Sequence, residues 1–166
     1  MEKTRKIDGI NFSVGSMMAM DAFKLKSKLI KIFAPSLGKL FSSFDLNKDF
    51  KDIDLSKIPL AEVIQNVMSE LDDETIDYLL RKLLWNVTAT TDVNGKKTAV
   101  AFSSDFETVF NLVFNQKLFT LYPLLAFVLE VNYPDFFQKI KTIGPKMKKI
   151  GSFKKDEMPL FEDENE

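Results

Sequence analysis

Residues 59–102 read PLAEVIQNVMSELDDETIDYLLRKLLWNVTATTDVNGKKTAVAF, and this stretch decides the fold. Pro59 suits a first helical turn, where its missing donor costs little, and Leu60, Val63, Ile64, Val67, Met68 and Leu71 recur at helical spacing behind it. Asp72 and Asp73 then offer side chains to the free amides of a new helix, whose apolar stripe is Ile76, Leu79, Leu80, Leu83 and Leu84. The short connection predicts that the two helices are antiparallel neighbours. After Trp85 the period changes to two. Val87 to Val93 and Lys96 to Phe102 flank Asn94-Gly95, a pair suited to the positive φ angles of a tight hairpin turn.

Towards the N-terminus, Met18, Ala22, Leu25, Leu29 and Ile32 align along one helical face, with Lys24, Lys28 and Lys31 largely opposite. Ala34 and Pro35 are expected to interrupt that helix, and Leu37, Leu40, Phe41 and Phe44 to resume a stripe in a short second one. Before it, Ile7, Ile10, Phe12 and Val14 alternate around a possible turn at Asp8-Gly9, which predicts a strand or short hairpin. Towards the C-terminus, Ser104 and Glu107 fit a capping box ahead of a face made of Phe106, Val109, Phe110, Val113 and Phe114. A final helix starting near 117–120 and ending about Asn132 places Pro123 in or close to its first turn. Its apolar run, Leu118 to Val131, falls short of the roughly 20 residues a bilayer span needs, so it reads as a central buried helix and no membrane is expected.

The fold class is therefore mainly α (α+β), with about five or six helices, one β-hairpin and a possible N-terminal strand. Residues 1–138 read as a single domain, and 139–166 as a disordered, charged tail. Seven Lys and no acidic residue lie in 139–155, and six Asp or Glu and no basic residue in 156–166. Such block segregation is typical of interacting tails.

The residue inventory limits the chemistry. Sixteen of the 166 residues are Phe, while Cys and His are absent. The commonest general base, the commonest metal ligand and the thiolate nucleophile are all missing. The charge balance, 23 basic against 24 acidic residues, gives no general case for binding a polyanion. Asp45, Asn47 and Asp49 begin like a calcium loop, but Phe50 stands where the turn needs Gly and Ser56 where the loop needs Glu. The six glycines never cluster into a phosphate loop. Asp72, Asp73 and Glu70 are explained as caps and solvated charges, so no catalytic, cofactor-binding or metal-binding residue is assigned. The charged, uninterrupted N-terminus lacks the apolar stretch of a secretion signal, which points to an intracellular protein.

What remains is surplus apolar surface. Most Phe residues lie at core spacing, but Phe23 and Ile30 fall off the main stripe of their helix, and Phe41, Phe44, Phe119 and Phe127 exceed the needs of one modest core. In the tail, Phe153, Met158, Leu160 and Phe161 could anchor a partner. Candidate partner-binding residues are thus Phe23, Ile30, Phe41, Phe44, Phe153, Met158, Leu160 and Phe161. The lysines of 139–155 offer an alternative, a small regulatory or nucleic-acid-binding protein, against which the adjoining acidic run argues.

Several stretches resemble tail assembly chaperones of long-tailed bacteriophages: MDAFKLKSKLIKIFAPSLG at 20–38, DYLLRKLL at 77–84, SDFETVF at 104–110 and NYPDFF at 132–137. The resemblance spans about residues 5 to 137. It implies a small, mostly helical, non-catalytic protein that binds the tape measure protein and tail tube subunits during tail morphogenesis. It also implies action in the host bacterial cytoplasm and absence from the mature virion. The family has no catalytic residues to carry over, and self-association is plausible.

Overall fold

The computed structural model describes residues 1–43 and 59–135, and for residues 37–43 the backbone alone. In chain order the elements are β1 (Glu2–Ile7), β2 (Ile10–Gly15), α1 (Ala19–Ser43), α2 (Leu60–Ser69), α3 (Asp73–Leu84), β3 (Val87–Val93), β4 (Lys96–Ala101), α4 (Phe106–Phe114), a 3-10 turn (Leu118–Thr120) and α5 (Leu121–Asn132). This is the expected α+β arrangement, with more β structure than the sequence reading gave it. Two hairpins join into one antiparallel sheet of order β1-β2-β3-β4.

Both hairpins close through the same device. Asp8 and Gly9 have φ of 47° and 85°, Asn94 and Gly95 of 52° and 79°. Two consecutive positive φ angles match the right-handed twist of the strands they join. The register pairs Phe12 with Ala89 and Val14 with Val87 at the middle of the sheet. These residues and Ile7 and Ile10 lie on one face and are buried. On the other face Thr4, Ser13, Thr88 and Thr90 carry hydroxyls, the usual pattern of a sheet covered on one side only.

Helix α5 is the hub. It packs against β1 and β2 and also against α2 and α3, and every residue from Leu124 to Leu129 is buried. A helix apolar all round can exist only inside such an environment. Beside it, Phe12, Phe102, Phe106, Phe110 and Phe114 form a continuous ring cluster, with Phe110 and Phe114 centroids 4.7 Å apart and Phe12 stacked on Phe114 at 6.5 Å. At the sheet edge Arg5 lies 4.2 Å over the Phe127 ring and pairs with Glu130 of α5 at 2.8 Å. An inward charge on an edge strand also discourages pairing with another sheet.

Four details differ from the sequence reading. Helix α1 runs without a break through Pro35, because a proline removes one helical donor and kinks a helix but need not end it when flanking turns are held. Met18 is 76% exposed and precedes the helix; the core stripe is Leu25, Leu29 and Phe33, with Ala22 and Ile32 packed at its margin. The cap of α4 is Asp105, not Ser104: its carboxylate accepts from the Thr108 N–H and hydroxyl. Helices α2 and α3 are not mainly each other's neighbours, since α5 offers both a wider apolar face. The other start signals hold. Asp72 caps α3 by accepting from the Thr75 N–H at 2.7 Å, and Pro123 sits in the first turn of α5.

Candidate functional site

Two polar contacts place the start of α1 beside the end of α3, and a third ties it to α5. The Gly15 N–H donates to the Asn86 carbonyl at 2.8 Å, and the Asn86 side chain donates to the Ser16 carbonyl at 3.2 Å. The Met17 N–H then donates to Asn132 Oδ1 at 2.7 Å. One turn later the Tyr133 hydroxyl donates to the Ala22 carbonyl, and burial pushes this phenol up to about 12. The entry to α1 is thus tied to α3 and α5 by groups whose backbone partners would otherwise lack a bond.

That anchoring opens a cleft of about 400 Å³ between Met17, Met18, Asp21 and Leu25 on one side and Arg81, Lys82, Trp85 and Asn86 on the other. Trp85 is 58% exposed at the end of α3. An indole and two thioethers on an open cleft wall are unusual for a surface that serves only water, because they forgo the burial that such side chains normally gain. Further along the same helix pair a second depression, about 410 Å³, is lined by Lys28, Lys31 and Ile32 of α1 and Glu74, Thr75, Tyr78 and Leu79 of α3. Between the two, the Lys28 ammonium lies 4.1 Å over the Tyr78 ring. The two depressions follow the same pair of helices, Leu25 lining the first and Ile32 and Leu79 the second.

Arg81 is fixed in the wall by its neighbours. Its guanidinium donates to Asp77 at 2.9 Å and to Glu107 at 3.0 Å and lies 4.7 Å over Phe106. The hydrogen bond that it donates to Asp77 leads in raising its pKa. Among the described residues no group of three or more Asp or Glu could hold a metal ion, and no single helix is long and apolar enough to cross a membrane.

The sequence-derived candidates divide. Phe23 is 51% exposed and Ile30 is half-buried. At about 100° per residue the two share a stripe on the flank of the core face of α1, turned away from both depressions. They therefore lie on the outside of α1 and not in either depression. Phe119 is 75% exposed beside Tyr122, whereas Phe127 is buried under Arg5 and belongs to the core. The side chains of Phe41 and Phe44 lie outside the described residues, as do Phe153, Met158, Leu160, Phe161 and the Lys-rich segment 139–155. Sequence reasoning missed Met17, Met18 and Trp85. The available signal was the single Trp, which directly follows the Leu83-Leu84 core pair where the helical stripe ends.

No curated protein and no solved structure matches the chain. The family model described as phage tail assembly chaperone protein, TAC, matches residues 8–145, which takes in β2 to β4, all five helices and the residues lining both depressions. By that match over most of its length, the chain belongs to the phage tail assembly chaperone family.

Proposed function

We propose that this protein holds tape measure protein, tail tube subunits, or both, during tail morphogenesis, without catalysing a reaction. It acts in the host bacterial cytoplasm and leaves before the virion is complete. The observation that carries this reading is the open apolar surface of α1 and α3, where Met18, Phe23 and Trp85 are each more than half exposed. A side chain of this size buried on a client contributes roughly 1.5–3 kcal/mol before ordering costs, so a few such anchors suffice for transient holding. Absence of any cysteine or histidine in the chain supports a binding role over a chemical one.

The test is coexpression of this chain with the phage's tape measure protein and, separately, with its tail tube protein, followed by affinity purification through the client. Recovery of a stoichiometric complex with either client supports the proposal. Recovery with neither, from cells in which both partners are soluble and abundant, contradicts it.

A further inference from the structure

We propose that the cleft between Met18 and Trp85 takes this chain's own segment Met158-Pro159-Leu160-Phe161, which a client must displace. The displacement rests on the chaperone reading, whereas the contact itself does not. The first observation is where the chain leaves the domain. Asn132 Oδ1 accepts from the Met17 N–H at 2.7 Å, and the Tyr133 hydroxyl lies 3.8 Å from the Met17 sulfur while it donates to the Ala22 carbonyl at 3.0 Å. Met17 itself lines the cleft. Pro134 and Asp135 follow Tyr133 directly and are exposed, so the chain beyond them sets out from the wall of the cleft. Met158 lies 23 residues past Asp135, an extended reach of up to about 75 Å, so tether length sets no barrier.

The second observation is chemical. From residue 138 onward the large apolar residues stand singly until Met158, Leu160 and Phe161, which fill three of four positions. Pro159 restricts Met158 before it to extended backbone, which lowers the cost of ordering the segment on a surface. The cleft, about 400 Å³, offers Met18 and Trp85 as walls and Leu25 beneath them. Thioether and aromatic groups on both partners suit each other, since sulfur packs well at a ring edge and adapts its shape to the gap. Charge does not choose the occupant: Asp21 balances Lys82, and Arg81 is held by Asp77 and Glu107. Apolar contact and tethering therefore decide. A tethered segment meets its site at an effective concentration on the order of 1 mM, so a contact as weak as about 0.1 mM between separate molecules is about nine-tenths occupied within one chain.

Trp85 is the only Trp in the chain and reports directly on occupancy. Full-length wild type is compared with the full-length variant M158S/L160S/F161S, checked for a wild-type circular dichroism spectrum. The variant's Trp85 emission should move to the red and acrylamide should quench it at least about twofold more strongly. A synthetic peptide of residues 156–163, added to the variant, should restore the blue emission, and it should bind wild type about tenfold more weakly because the tethered segment competes. High salt should leave these affinities almost unchanged, and the wild-type emission should not alter over a hundredfold dilution. Adding Met18→Glu to the variant, at a site 76% exposed and so outside the core, should abolish peptide binding. Identical Trp85 emission and quenching in wild type and variant, a peptide that leaves the variant's emission unmoved, or binding that survives Met18→Glu would overturn the proposal. So would an emission that reddens on dilution, since the segment would then sit on a second copy. The variant should also bind a client about tenfold more tightly than wild type. Equal client affinity with Trp85 responding as expected would remove the displacement and leave the contact. Failure of both proteins to bind either client falls on the chaperone reading alone, because the fluorescence comparison uses no client.

Discussion

Phe114→Ala and Phe23→Ala are the same chemical deletion at two kinds of site, and the structure separates their effects. Phe114 is 1% exposed, its ring 4.7 Å from Phe110, 5.9 Å from Phe102 and 6.5 Å from Phe12. Truncation removes a fully buried ring and leaves a void bounded by three other aromatics that cannot collapse into it, a change that costs roughly 3–5 kcal/mol. For a domain whose total stability is about 5–15 kcal/mol, that is a large share of the whole. With a urea dependence of about 2 kcal/mol per molar, the unfolding midpoint should fall by roughly 2 M. Phe23→Ala, at a half-exposed position on the outside of α1, should change the stability by no more than about 0.5 kcal/mol. The assay is urea denaturation followed by circular dichroism at 222 nm. A Phe102→Ala cycle should add a coupling of about 0.5–1.5 kcal/mol between the two rings. Should Phe114→Ala remain within about 1 kcal/mol of wild type, or Phe23→Ala prove as costly, the division of the phenylalanines into core and surface would be refuted.

Other outcomes follow from single contacts. Gly95→Ala, at φ of 79°, should cost about 1 kcal/mol through left-handed strain alone, read as a lower thermal midpoint with an unchanged spectrum. Tyr133→Phe removes the hydrogen bond to the Ala22 carbonyl and should cost about 1 kcal/mol. Because the folded phenol is raised from 10.0 to about 12, its contribution is fully present below pH 10 and is lost as pH rises towards 12. In an ultraviolet titration one of the three tyrosines should therefore ionise late, and Tyr133→Phe should abolish that late step. Asp72 and Asp105 have lowered pKa values, led by the backbone N–H of Thr75 and the Thr108 side chain respectively. Their contribution is present above the unfolded value of 3.8 and is lost as pH falls below it, so Asp72→Asn should flatten the acid limb of the stability profile.

The local code was legible where a single short-range rule decides. Asn94-Gly95 and Asp8-Gly9 both form the hairpin turns that positive φ favours, and Asp72 caps α3 as its position ahead of a helical stripe implies. The reading fell short where a distant element chose the outcome. That the two hairpins form one sheet depends on pairing residues 11–14 with residues 87–90 across three helices, which no local period encodes. Pro35 stops a helix by its local preference, yet α1 continues through it. The cleft was invisible for the same reason: Met18 looks like a core residue by spacing, and only the hydrogen bonds of Asn86 and Asn132 show that it is held open beside Trp85. Phe23 and Ile30 were found because the core stripe of α1 can be counted, and what lies off it needs no tertiary information.

The central claim, that exposed apolar surface on α1 and α3 keeps a tail protein soluble, is tested most directly by light scattering. The phage tape measure protein is diluted from denaturant into buffer alone, into buffer with wild-type chain, or into buffer with a M18E/W85E variant shown to retain native stability. Wild type should suppress the scattering in proportion to its concentration, and the variant should lose most of that suppression. Scattering unchanged by wild type, or suppressed equally by the variant, would contradict the account.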